Sequence, residues 1–143
     1  MLLALYFAVT FTVALLVTTA YFLLGGLPLL TLKHDEPHDS RFVRSFFHWY
    51  YRAAFWTSLG ACISYALWGR AVYALGAALI AALTLLLRKH LLRAMHNLGT
   101  QINGSDAGAI QSFRRVHAMA LGINLIQLVV VVWGVIHLSR QLS

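Results

Sequence analysis

The chain has 143 residues, of which 60% are hydrophobic and only 10% charged, whereas soluble domains are about 45–50% apolar and about 25% charged. So few charged groups do not cover the surface of a soluble globular protein of this size, which excludes that class. The formal charge of +7 comes from eleven Lys and Arg against four Asp and Glu. The basic residues stand at the ends of apolar runs, which is typical of anchoring to an anionic leaflet and argues against nucleic-acid binding.

The first apolar run covers about residues 2–24 and contains no charged residue. It is long enough to cross the hydrocarbon layer of a bilayer, which is about 30 Å thick. It lacks the positively charged n-region of a secretory signal peptide and exceeds a usual h-region. We therefore predict a retained membrane helix, ended by Gly25, Gly26 and Pro28.

The second predicted span, about residues 46–69, begins amphipathically. Arg44, His48 and Arg52 are spaced by four and therefore share one face of a helix. Aromatic side chains crowd the same end, as they do at membrane interfaces. We interpret the basic stripe as a surface that faces water or lipid headgroups.

The third predicted span, about residues 71–92, is rich in small residues that recur every four positions. Such rows let helix backbones approach closely in lipid, so we expect the second and third helices to pack tightly. One row on the third helix is Ala74, Ala78 and Ala82, and the other is Ala77 and Ala81; Gly60 and Ser64 are the matching pair on the second helix. Cys62 is the only cysteine and is interpreted as another small packing residue.

The fourth predicted span covers about residues 113–138, and Ser105 or Asp106 is expected to cap its helix. Asn124 and Gln127 are the most deeply placed strongly polar residues, and they should face the bundle interior because lipid exposure is costly. We expect them to form interhelical hydrogen bonds; a substrate or proton path is the alternative. Their possible partners are Thr12, Thr84 and Ser64.

The distribution of basic residues predicts the orientation. With the N-terminus outside, nine of the eleven lie on the cytoplasmic side, as the positive-inside rule requires. The nine are Lys33, Arg41, Arg44, Arg52, Arg88, Lys89, Arg93, Arg114 and Arg115, which leaves Arg70 and Arg140 outside. The predicted fold class is thus all-α: one integral membrane four-helix bundle over residues 1–143, with both termini on the non-cytoplasmic side.

Six of the seven histidines fall on the predicted cytoplasmic side, where a copper, iron or zinc site is one interpretation. His34, His38 and His90 are the candidate metal ligands. His34 and His38 are four apart, but Pro37 disfavours a regular helix through both. Interfacial histidines that bond to water or headgroups are the alternative.

His48 and His117 form a second candidate site. Each is predicted about one turn inside a helix that enters the membrane from the cytoplasmic face, so their depths match. Two imidazoles from facing helices would suit bis-histidine ligation of haem b. Arg44, Arg52 or Arg114 would then be available for the propionates.

The segment from Phe113 to Leu125 contains an F-x3-H-x6-N-L pattern, formed by Phe113, His117, Asn124 and Leu125. It resembles the last helix of small four-pass proteins similar to transmembrane protein 205, a largely uncharacterised family, in which His117 and Asn124 would inherit the motif. Arg115-Val116-His117-Ala118 also resembles the start of the last helix in anthrone-oxygenase-like membrane proteins. The third-helix Pro-x-Asn signature of that group is absent here, which weakens an inherited oxygenase activity.

The pattern as a whole favours a non-catalytic function. Small-residue faces, interfacial aromatics and short extramembrane parts are typical of an accessory or scaffold subunit that packs against other membrane proteins or against itself. The alternative is a haem- or metal-binding redox or oxygenase-type protein that uses the cytoplasmic-side histidines. The expected location is the lipid bilayer of a bacterial inner membrane.

Overall fold

The computed structural model describes residues 2–33, 36–102 and 106–142. This part of the chain forms four helices: α1 (Leu2–Leu29), α2 (Pro37–Leu67), α3 (Ala71–Gln101) and α4 (Ala107–Leu142). The predicted all-α fold class is therefore confirmed. Each helix is longer than the apolar span predicted within it, because α2, α3 and α4 continue into basic segments beyond the apolar residues.

The helices form a four-membered bundle in which α2 packs most extensively, between α1 and α3. The fourth helix closes the bundle against α1 and α3, so that α2 and α4 lie diagonally opposite each other. We call the end with the α1–α2 and α3–α4 connections the loop end. The opposite end, with the α2–α3 turn at residues 68–70, is called the terminal end.

Three of the four helices are long and apolar enough to cross a bilayer: α1, α3 and α4. Their outer surfaces carry large apolar side chains, as lipid-facing helices do. Examples are Leu3, Phe7 and Val17 on α1, Val72, Leu75 and Leu79 on α3, and Ile126, Val129 and Trp133 on α4. The chain is thus a helical membrane protein with three candidate spans. By hydropathy, α2 does not qualify as a fourth.

The first helix does not end at Gly25 and Gly26, so that prediction is wrong. It continues through both glycines and Pro28 to Leu29. The glycines lie where neighbouring side chains press on the helix backbone: a Cβ on Gly25 would be 2.9 Å from Cζ of Phe46, and one on Gly26 would be 2.5 Å from Cδ2 of Leu121. Close packing against α2 and α4, rather than helix termination, explains these two glycines.

The predicted close packing of α2 against α3 is present, and these two helices have the most extensive contact in the bundle. Ala77 and Ala81 face the bundle interior, whereas Ala82 is exposed. Gly60 faces α1, since a Cβ there would lie 2.6 Å from the ring of Phe11. The four-residue period identified both alanine rows of α3, and the packing decides that the row of Ala77 and Ala81 faces inward.

Candidate functional site

A cluster of polar side chains crosses the middle of the bundle. The Tyr50 hydroxyl donates to Oδ1 of Asn124 at 2.6 Å, and Oε1 of Gln127 is 3.0 Å from the same hydroxyl. Asn124 Nδ2 donates to the carbonyl oxygen of Thr19 at 3.4 Å, and Gln127 Nε2 to Oγ1 of Thr84 at 3.4 Å. We call these five residues the polar core.

The polar core joins all four helices, because Thr19, Tyr50 and Thr84 come from α1, α2 and α3 and the two amides from α4. Each of the five side chains is at most 5% exposed. Thr19 and Thr84 also donate to carbonyl oxygens in the preceding turn of their own helices. Asn124 and Gln127 thus lie inside the bundle with bonded partners, and Thr84 is one of the three partners considered from the sequence.

The sequence did not single out Tyr50, which is the central donor of this cluster. Its position gave one usable signal: Tyr50 continues a buried row on α2, three residues after Phe47, seven after Val43 and four before Ala54. A tyrosine on a buried helix face needs a hydrogen-bond partner for its hydroxyl. The choice of partner depended on α4 lying diagonally across, which the sequence does not encode locally.

The two proposed haem ligands do not face each other. His117 is fully buried in the bundle, and the ring packed edge-on against it, at a centroid distance of 5.4 Å, is that of Phe47. His48 is half-buried one position further along α2, on the face where Arg44 contacts His96 of α3. A haem bound by His48 and His117 would have to displace Phe47, so these residues as arranged do not fit the group, and the haem site stays a prediction from sequence.

The structure describes two of the three candidate metal ligands, and these two lie on different helices. His38 lies in the first turn of α2 and His90 on the loop-end half of α3, and both are exposed. His34 lies outside the described residues. Within the described ranges, no group of three His, Cys, Asp or Glu side chains comes close enough to hold a metal ion.

A shallow groove runs along the outside of α2 and α3 near the terminal end. It has a volume of about 430 Å³. Six of its seven lining residues are small, and we call it the α2–α3 groove. The lining is Cys62 and Ala66 of α2, Gly69 of the turn, and Ala71, Ala74, Leu75 and Ala78 of α3.

A larger cavity of about 720 Å³ opens at the same end of the molecule, and we call it the terminal cavity. All four helices and the α2–α3 turn contribute to its walls. Its polar groups are the hydroxyls of Thr12, Tyr65 and Tyr73, the imidazole of His137 and the Arg70 side chain. No sequence motif marks this space, because it depends on how far apart α3 and α4 lie at this end.

Comparisons of the chain with protein-family models, curated proteins and solved structures gave no match. The resemblances to the transmembrane protein 205 family and to the anthrone-oxygenase-like group therefore stay predictions from short motifs. The arguments about function that follow rest on the geometry of this chain.

Proposed function

We propose that this protein is a non-catalytic membrane subunit, which receives a transmembrane helix of another membrane protein in the α2–α3 groove. The observation that carries the proposal is the small-residue lining of that groove on the outside of the bundle. Helix association in lipid depends on close van der Waals packing, and small residues allow the backbones to approach.

The dimensions of the groove suit a helix. From Ala71 to Ala78, α3 rises about 10 Å at 1.5 Å per residue, which is about two turns of a partner helix. Cys62 and Ala66, spaced by four, form the parallel wall on α2. None of the seven described residues that line the groove is charged, so a partner's apolar helix face desolvates no charge on them.

The function requires a membrane topology, and we propose four spans with α2 as the fourth. The uncharged part of α2, residues 53–67, rises about 21 Å, which is about two thirds of the hydrocarbon thickness. Its hydropathy is lowered by residues such as Ser58, Ser64 and Tyr65, which are buried against the neighbouring helices. Because α2 lies between α1 and α3, these hydroxyls avoid lipid.

We further propose that the loop end faces the cytoplasm of a bacterial inner membrane. The clustering of basic residues at that end supports this orientation through the positive-inside rule. A C-terminal fusion of green fluorescent protein, which does not fold after export through the Sec pathway, tests it. The expected fusion is non-fluorescent while membrane-inserted, and bright fluorescence from intact cells would contradict the proposed orientation.

Photo-cross-linking from Cys62, the native thiol in the groove, tests for the partner. A benzophenone maleimide attached to Cys62 in native membranes should cross-link one partner chain on illumination. Ala78→Leu fills the groove and should abolish that cross-link. Ala82→Leu is the matched control, because Ala82 is on the same helix, exposed and outside the groove.

The pattern across the two variants decides the proposal. Loss of the adduct in Ala78→Leu together with its retention in Ala82→Leu supports a helix seated in the groove. An adduct with a second copy of this chain that follows the same pattern would identify the partner as itself. Adducts to lipid alone, or equal loss in both variants, would refute the proposed docking.

A further inference from the structure

The terminal cavity has the form of a ligand site that opens toward lipid. Its volume of about 720 Å³ lies within the range of about 300–1,000 Å³ that small-molecule sites occupy. Val130 and Trp133 on α4 line it and are largely exposed. The inner wall contains Leu15, Ile80 and Val131, each one helical turn from a member of the polar core, which closes the cavity toward the middle of the bundle.

The length of the cavity suits one extended chain. From Arg70 to Ile80, α3 rises about 15 Å at 1.5 Å per residue. This is about half of the hydrocarbon thickness of about 30 Å, so the space matches the depth of a single leaflet. Most of the lining along this length is apolar.

Hydrogen-bonding groups are concentrated toward the terminal end of the cavity. The Tyr73 hydroxyl lies 2.8 Å from Nδ1 of His137, which joins α3 to α4. Arg70 lines the cavity at the start of α3, and its guanidinium carbon lies 4.9 Å above the ring of Trp68. Stacking on one face of the guanidinium leaves its edge N–H groups able to donate to an anion.

The described carboxylates do not neutralise the positive charge of Arg70 at the terminal end. Glu36 and Asp39 lie at the start of α2 and Asp106 at the start of α4, all at the loop end. Arg70 therefore has none of these three carboxylates within reach. A ligand with an anionic head would supply the charge that the terminal end lacks.

We propose that the terminal cavity binds a single-chain fatty carboxylate from the outer leaflet. The carboxylate accepts hydrogen bonds from Arg70, the Tyr73–His137 pair lies beside the head, and the acyl chain extends along α3 toward Ile80. A guanidinium pairs with a carboxylate through two parallel hydrogen bonds, which gives selectivity for a carboxylate over a neutral ester. The terminal cavity shares Gly69 and Ala71 with the α2–α3 groove but is otherwise lined by different residues. The inference does not depend on the proposed partner, and its assignment to the outer leaflet rests on the proposed orientation.

Two glycines allow the cavity to be filled without disturbing the bundle. Gly76 and Gly134 line it, and a Cβ at either would meet no atom within 4 Å. Gly134→Leu therefore places a side chain in the cavity. Gly122→Leu is the matched control, since Gly122 is on the same helix, has the same free space and is outside the cavity.

The probe is dodecanoic acid with a diazirine in its chain, added to the protein in nanodiscs of zwitterionic phospholipid. Photolabelling should map to the cavity segments around Ile80 and Val130, be lost in Gly134→Leu and persist in Gly122→Leu. The methyl ester of the probe should label at least about tenfold more weakly, the loss expected when one charge-assisted hydrogen bond is removed. Arg70→Gln should weaken labelling by the acid to a similar extent, whereas Arg140→Gln, at the same end but outside the lining, should not.

Each outcome bears on the proposal. The proposal is supported if labelling is lost in Gly134→Leu, is weakened in Arg70→Gln and is stronger with the acid than with the ester. Equal labelling by acid and ester would show an apolar space without a carboxylate site and would overturn it. Competition by added phosphatidylglycerol but not by free dodecanoate would assign the cavity to a phospholipid chain and would also overturn it.

Discussion

Removal of one hydroxyl from the polar core, by Tyr50→Phe, should destabilise the bundle measurably. The Tyr50 hydroxyl donates its one proton to Oδ1 of Asn124 at 2.6 Å, and Oε1 of Gln127 lies within reach of the same proton at 3.0 Å. The first distance is near the short end of the range for O–H···O hydrogen bonds. The two amide donations in the cluster are both 3.4 Å long, so the strongest interhelical bond of the cluster depends on Tyr50.

The magnitude follows from the membrane setting. Interhelical hydrogen bonds in membrane proteins contribute about 0.6 kcal/mol on average and up to about 1.7 kcal/mol. A buried acceptor that loses its donor costs about 1–3 kcal/mol where water does not reach it. In Tyr50→Phe, the side-chain carbonyl oxygens of Asn124 and Gln127 lose the hydroxyl as their donor. We therefore expect the free energy of unfolding to fall by about 1–2 kcal/mol.

The assay is reversible unfolding in mixed micelles, with dodecyl sulfate as denaturant and circular dichroism as the signal. Tyr21→Phe is the control, because Tyr21 is 67% exposed on α1 and its change should stay within about 0.5 kcal/mol. A double-mutant cycle with Asn124→Ala isolates the pair and should give a coupling of about 0.6–1.7 kcal/mol. Equal effects at Tyr50 and Tyr21, or a coupling near zero, would refute the reasoning.

Three further changes test the packing by the same unfolding assay. Asp106→Ala removes the side chain that accepts from the amides of residues 108 and 109, and it should lower the free energy of unfolding by about 1 kcal/mol. Asp106→Asn should retain most of that stability. An alanine variant as stable as the original chain would argue against the cap. Gly60→Leu forces the adjacent α1 ring to move and should cost about 1–3 kcal/mol, whereas Gly122→Leu has free space and should be near neutral. Phe113→Ala empties a fully buried site and should cost about 3–5 kcal/mol; a loss no larger than that of the exposed Phe42→Ala would contradict the core assignment.

The histidine motif illustrates where sequence reasoning reached its limit. The sequence predicts matching depths for His48 and His117 from their distances to the helix starts, but two side chains face each other only if the rotation of α2 is also right. A helix turns by 100° per residue, so the neighbouring Phe47, rather than His48, meets His117. Rotation about the axis is set by packing against two other helices, and a single spacing does not determine it.

The second helix shows the same division between local sequence and tertiary structure. Hydropathy is a local sum, and it identified α1, α3 and α4 because their lipid-facing surfaces are apolar. It does not select α2, which begins with a basic segment and whose Ser58, Ser64 and Tyr65 lower the sum although they are buried. Whether a hydroxyl meets lipid or another helix depends on neighbours that are distant in sequence.

By itself, the order of residues determined the all-helical class, three apolar spans, a cap at Ser105 or Asp106 and the interior position of Asn124 and Gln127. Each of these follows from periodicity, hydropathy or a local hydrogen bond. The tertiary structure alone decided which donor serves the two amides, which alanine row faces inward and where the bundle leaves a cavity. Those features depend on distances and rotations between helices, and these are set by all of the contacts together.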